Sequence, residues 1–162
     1  MFVRISQRIK QVMNTVYNMK KILNPWTGVD GYMCFGCARK SVGVKMDLRM
    51  DQEVVSVWKP GINFKDGCTS YGGIQAVLLD EICGWLTLSQ CQTVGVTSKM
   101  ETRYSKPISA SLTLSDHTSQ VERAETKHLL DEAEIYNPAN EICSSVSSAH
   151  ISHFHPRKPN WK

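Results

Sequence analysis

The 162-residue chain contains no apolar run long enough to cross a bilayer, because its longest apolar stretch, residues 69–85, is interrupted by two acids. A membrane-spanning helix needs about 20 apolar residues, so we expect no association with a membrane. The chain also has little excess of charge of either sign, since 19 basic and 15 acidic residues give a formal net charge of +4. Three of the basic residues lie within residues 1–18, so the remainder is nearly neutral, which argues against a nucleic-acid partner.

Patterns that would define a metal site or a disulfide framework are equally sparse. Cys34 and Cys37 form a CxxC, but no second CxxC or HxxxH pair stands at a spacing that would complete four zinc ligands. We therefore predict no metal, and a turn that packs on the sheet or lines a channel. The chain lacks a signal peptide with an apolar core, so we expect a cytoplasmic protein whose six cysteines are reduced: Cys34, Cys37, Cys68, Cys83, Cys91 and Cys143.

Three regions differ in pattern. Residues 1–23 are basic and acid-free, with apolar residues at helical spacing. They are open to three interpretations: a packing helix, an organelle presequence, or a non-native extension before a start at Met19. Residues 24–148 form the domain. Residues 149–162 contain three histidines and two prolines and are predicted to be an irregular tail.

Within the domain, the pattern predicts one long helix and several strands. The helix is expected from about Gly73 to Leu88, because it is apolar throughout and follows a glycine-rich loop at 59–72. Period-two alternation and turn residues predict the strands. Their ranges are 53–58, 96–104, 109–117, 129–136 and 141–148. We expect an α+β fold with one central helix and one antiparallel sheet.

The helix carries Asp80 and Glu81 at its centre, where unpaired charge is costly. On a helical wheel Asp80 lies among small residues, which let a ligand or another backbone approach closely. Gly72 and Gly73 stand at the helix start, where backbone N–H groups lack intrahelical partners and are suited to an oxyanion. From geometry alone, a surface acid beside a buried helix remains the alternative.

The stretches GGIQAVLLDEICGW and GVTSKMETRYSKPI, with NPW and GYMCFGC upstream, resemble the hotdog-fold acyl-CoA thioesterases of the PaaI-like type. The resemblance covers most of residues 24–147. It implies a curved antiparallel sheet wrapped around one long helix, pairing of subunits into homodimers or tetramers, and active sites at the dimer interface. It implies an acyl-CoA substrate, and no cofactor.

The resemblance also assigns roles to residues. A backbone N–H of Gly72 or Gly73 would polarise the thioester carbonyl, and Asp80 would act as general base or nucleophile. Thr97, with Ser98 beside it, would place the water, and Glu81 would be a structural partner or supporting acid. Tyr71 takes the position of the family's motif histidine and is assigned to substrate binding. Basic residues expected near the coenzyme A phosphates are Arg103 and Lys106, with Lys99 and Arg123 as further candidates.

Three departures from the family pattern keep alternatives open. Tyr71 replaces the motif histidine, Cys68-Thr69-Ser70 stands where a water-orienting asparagine is common, and residues 39–44 lack the usual turn. The alternative function is a weakened or inactive hotdog protein that binds acyl-CoA. A dehydratase of the same fold is disfavoured, because such enzymes place a histidine near the acid.

Overall fold

A computed structural model describes residues 18–50, 53–58, 61–66, 69–91, 94–108, 114–124, 128–137 and 139–154. Within these ranges no helix is both long enough and apolar enough to cross a membrane. The described chain forms a seven-stranded antiparallel sheet, a separate two-stranded ribbon and one long α-helix.

The strands of the sheet are β1 (Lys20–Lys21), β2 (Leu48–Met50), β3 (Val54–Trp58), β6 (Val94–Tyr104), β7 (Leu114–Ala124), β8 (His128–Tyr136) and β9 (Ile142–Phe154). They are arranged in the order β1-β2-β3-β7-β8-β9-β6, so β1 and β6 hold the outer positions. The ribbon pairs β4 (Lys65–Asp66) with β5 (Thr69–Ser70), after a short 3₁₀ turn at Ile62–Phe64.

The helix α1 (Gly72–Cys91) lies across the sheet and supplies four of the nine largest fully buried side chains among the described residues. Its first turn is capped by the Tyr71 carbonyl, which accepts the N–H groups of Ile74 at 3.1 Å and Gln75 at 3.2 Å. The core positions of α1 are fully buried: Leu78, Leu79, Ile82, Cys83 and Leu86. The helix is therefore held by burial of its apolar face.

Most of the predicted elements are confirmed. The helix begins within one residue of the predicted start and runs three residues further, to Cys91. The strands predicted at 53–58, 96–104 and 129–136 are β3, β6 and β8. Residues 24–46 form the expected loop and turns.

Three predictions need correction. The strand predicted at 109–117 continues past its predicted end as β7, Leu114–Ala124, because pairing with β8 carries it beyond its alternating segment; residues 109–113 lie outside the described residues. The irregular tail is wrong for 149–154, since β9 continues to Phe154 between β6 and β8. The loop at 59–72 contains the 3₁₀ turn and the β4–β5 ribbon.

The end of the basic amino-terminal region lies in the sheet. Lys20 and Lys21 pair with Met50 and Arg49 of β2, so these two residues belong to the sheet and not to a helix. Residues 1–17 of the basic extension and 155–162 of the tail lie outside the described residues.

The helix–sheet core gives a stability prediction. Ile82 is 0% exposed at the centre of α1, so Ile82→Ala should lower the free energy of unfolding by about 2–5 kcal/mol through lost transfer energy and a cavity. Chemical denaturation measures this change. The control is Val29→Ala, since Val29 is 53% exposed and should change stability by less than about 0.5 kcal/mol. Equal effects of the two variants would contradict the described packing.

Candidate functional site

A pocket of about 480 Å³ opens between α1, the start of β6 and the loop before β2. Trp26 stacks on Tyr32 with ring centroids 5.8 Å apart, and meets Trp85 edge-on at 6.0 Å. These rings and Leu88 make an apolar wall, and Asp80, Glu81 and Thr97 add polar groups to the lining. The pocket therefore combines apolar surface with a few convergent polar groups, as small-molecule sites do.

Asp80 and Thr97 form a direct pair in this pocket. The Thr97 hydroxyl donates to Oδ1 of Asp80 at 2.6 Å, and joins the middle of α1 to β6. Nearby, the register of β6 against β9 shifts between Thr97 and Lys99, an irregularity of the kind that redirects side chains. An ionised carboxylate has acceptor capacity for about four hydrogen bonds, so Asp80 can also hold a water.

Glu81 contacts different residues from those that Asp80 contacts. The Trp85 indole N–H donates to its Oε1 at 2.8 Å, and the Cys34 thiol lies 3.4 Å from Oε2 and 3.6 Å from Oε1. Successive residues of a helix are rotated by about 100°, which is why the two adjacent acids face different partners. These contacts fit the structural role predicted for Glu81, and its supporting catalytic role stays a prediction.

The CxxC forms a turn that contributes to the pocket, as predicted from the glycine-rich sequence. The Ala38 N–H donates to the Cys34 carbonyl at 3.1 Å, and strand-like bonds join Val44 to Phe35 at 2.8 Å and Met46 to Gly36 at 2.9 Å. Spacing along the chain did not reveal that Glu81 meets this turn, because the two segments are 44 residues or more apart. The signal that the sequence offered for this contact was a carboxylate in the middle of an apolar helix.

The helix start lies apart from Asp80. Gly72 and Gly73 are exposed, and Tyr71 is 49% exposed. Eight residues at 1.5 Å rise place Gly72 about 12 Å from Asp80 along the helix. Since a hydrogen bond spans about 3 Å, the helix-start amides and Asp80 of one chain cannot act on the same carbonyl.

Three of the four predicted phosphate-binding residues are exposed on β6 or just after it: Lys99, Arg103 and Lys106. Lys106 is paired with Glu141 at 2.6 Å, and Lys99 with Glu101 at 2.7 Å, so both ammonium groups have acids of their own chain beside them. The hydrogen bond from Lys106 lowers the pKa of Glu141. Arg103 and Ser98 are exposed on the same strand, and the Arg123 side chain lies outside the described residues. Their binding roles stay predictions.

No family model matches the chain, and no curated protein matches it. Solved structures do match. A Streptococcus mutans protein bound to acetyl CoA has 16% identity and a TM-score of 0.62, with 70% of this chain and 91% of that chain covered. Zebrafish thioesterase superfamily member 2 has 19% identity and a TM-score of 0.61, with 72% and 89% covered.

The Escherichia coli PaaI protein of the phenylacetic acid degradation operon also matches, at 21% identity and a TM-score of 0.58, with 67% of this chain and 82% of that chain covered. At such identities the likeness shows the fold. The one long helix of the described residues, packed on an antiparallel sheet, therefore forms the α+β hotdog fold, and the predicted fold is confirmed.

Proposed function

We propose that the protein is an acyl-CoA thioesterase that hydrolyses its substrate to a free acid and coenzyme A. The observation that carries this proposal is the Asp80–Thr97 pair at the wall of a largely apolar pocket. A carboxylate held by one hydroxyl is suited to take a proton from water, and the aromatic wall is suited to an acyl chain. The acetyl CoA in the Streptococcus mutans structure supports this class of ligand on the same fold.

The hydrolysis follows from the chemistry of these groups. Asp80 accepts a proton from water as the water oxygen bonds to the thioester carbon. Thr97 fixes the carboxylate through Oδ1, and leaves Oδ2 for the water. The helix-start amide of Gly72 or Gly73 donates to the carbonyl oxygen as it gains negative charge. The carbon–sulfur bond then breaks, and the departing thiolate takes the proton from Asp80.

This mechanism requires two copies of the chain. The helix start and Asp80 of one chain are about 12 Å apart along α1, so the amide of one copy would face Asp80 of another. The outer strand β6 is 11 residues long and presents exposed apolar side chains, Val96 at 61% and Tyr104 at 52%. A long outer strand favours pairing with another strand, and a two-fold homodimer through β6 would complete two sites.

One observation favours a second candidate function, acyl-CoA binding without hydrolysis. Tyr71 stands where the resemblance expects a histidine, and its side chain is 49% exposed at the capping position of α1. A phenol there can contact a ligand, but it does not offer the imidazole of the motif. A protein with this second function would keep the pocket and the dimer. Asp80 would transfer no proton, because no water attacks the bound thioester.

The first prediction of the proposed function concerns Asp80. Asp80→Asn should lower thiol release from acyl-CoA by about 10²–10⁴-fold, because an amide cannot accept the proton of water. The assay uses a panel of short, long and aromatic acyl-CoAs with a thiol reagent. Asp30→Asn, on an exposed loop, removes the same charge and should keep full turnover.

The outcomes of that assay separate the two candidates. Turnover by Asp80→Asn equal to that of the unaltered protein would refute the thioesterase mechanism. Tight acyl-CoA binding by the unaltered protein, with no release from any substrate, would establish the binding function instead.

The helix-start amide is tested by a pair of substitutions at Gly72. Gly72→Pro removes the N–H at a first-turn position where proline is well tolerated, and should lower the rate by about 10²–10³-fold. Gly72→Ala keeps the N–H, and its methyl would lie 3.6 Å from the Tyr104 ring, an ordinary contact. Full activity of Gly72→Pro would instead assign the carbonyl contact to another group, with Gly73 the next to test.

Sharing of the site between two copies is tested by mixing inactive chains. Asp80→Asn and Gly72→Pro chains are unfolded and refolded together in equal amounts. Random pairing then makes half of the dimers mixed, and each mixed dimer has one intact site. About a quarter of the original activity should return, as measured by thiol release. Chains refolded separately and then combined without exchange are the control. No recovery in mixed dimers confirmed by mass spectrometry would contradict a shared site.

A further inference from the structure

Three side chains from distant parts of the sequence converge beside the pocket. The Sγ atoms of Cys34 and Cys37 and a carboxylate oxygen of Glu81 all lie within 4.8 Å of one another. The Cys34 Sγ is 3.4 Å and 3.6 Å from the two Glu81 oxygens. Zinc–sulfur bonds of about 2.3 Å and zinc–oxygen bonds of about 2.1 Å at a tetrahedral angle require a sulfur–oxygen separation of about 3.6 Å.

The surroundings hold these three side chains in place. Gly36 lies between the two cysteines, and a methyl group there would stand 2.6 Å from Cγ of Glu81. Only glycine lets the carboxylate approach the turn this closely. The backbone of the turn is itself fixed by the bonds from Val44 and Met46.

Each ligand also has an outer hydrogen-bond partner. Trp85 donates to Oε1 of Glu81 at 2.8 Å. The Tyr32 hydroxyl lies 2.9 Å from the Cys37 Sγ, and the Asn24 amide donates toward the same sulfur at 3.5 Å. Outer partners of this kind orient metal ligands and are worth about 10–100-fold in metal affinity.

We propose that Cys34, Cys37 and Glu81 form a zinc-binding site with its fourth position open to the pocket. Two thiolates and one carboxylate suit a borderline-soft divalent ion, and three protein ligands with one open position are typical of catalytic rather than structural zinc sites. All three ligands border the pocket that also contains Asp80, so water fills the fourth position.

The charges and protons of this site balance. Zinc binding displaces one proton from each thiol to solvent as the two zinc–sulfur bonds form, and Glu81 binds as the carboxylate. The site uses no residue of the Asp80–Thr97 pair and stands or falls independently of the proposed hydrolysis.

The test is a titration of the reduced, chelator-treated full chain with cobalt(II), which reports thiolate ligands by a charge-transfer absorption band. One equivalent should saturate the band, and one equivalent of zinc should abolish it. Cys34→Ser and Cys37→Ser should each remove the band, whereas Cys143→Ser, a buried thiol on β9 outside the cluster, should keep it. Gly36→Ala, which changes no ligand but displaces Glu81, should weaken binding by about ten-fold or more.

A second measurement needs no variant. One equivalent of zinc should slow alkylation of Cys34 and Cys37 in the unaltered protein by at least about ten-fold, as resolved by peptide mass spectrometry. The proposal is overturned by cobalt binding without a thiolate band, which would place the metal on the histidines of residues 150–155. The proposal is also overturned if the band persists in both the Cys34→Ser and the Cys37→Ser variants. An alkylation rate of the two thiols that zinc leaves unchanged would overturn it as well.

Discussion

The packing of α1 across the antiparallel sheet is the constraint on which the rest of this structure depends. The helix buries Leu78, Leu79, Ile82 and Leu86 completely, and this burial sets its rotation and depth. Once the rotation is set, Asp80 must lie beside β6 and Glu81 beside the CxxC turn, while Gly72 and Gly73 emerge at the exposed end. The two acids and the helix-start glycines therefore all take their positions from that one interface.

The two adjacent acids show how one helix can serve two environments. Asp80 has the Thr97 hydroxyl at 2.6 Å, and borders a pocket suited to an apolar ligand. Glu81, rotated by about 100°, is held by Trp85 and approached by two thiols. The cost of placing two carboxylates in an apolar helix is offset on each side by a different kind of partner: a hydroxyl for Asp80, and an indole N–H with two potential metal-binding sulfurs for Glu81.

The helix also explains why one chain alone is insufficient for the proposed hydrolysis. Two turns separate the amides at its start from Asp80, a separation that no side-chain rearrangement removes. The same fold in the Streptococcus mutans, zebrafish and Escherichia coli structures, at identities of 16–21%, shows that this helix–sheet arrangement tolerates very different sequences. Packing of apolar residues preserves the scaffold, and a few polar residues decide the chemistry.

The sequence by itself determined the long apolar helix, most of the strands and the pair of acids, because hydrophobic period and glycine placement act over short distances along the chain. It could not place the end of β9, which Phe154 reaches only because β6 and β8 lie on either side. Likewise, the resemblance suggested roles for Asp80 and Thr97, but the hydrogen bond between them depends on how β6 crosses the helix. The meeting of Glu81 with Cys34 and Cys37 was decided by tertiary structure alone, since only the folded chain brings side chains 44 residues or more apart within bonding distance of one ion.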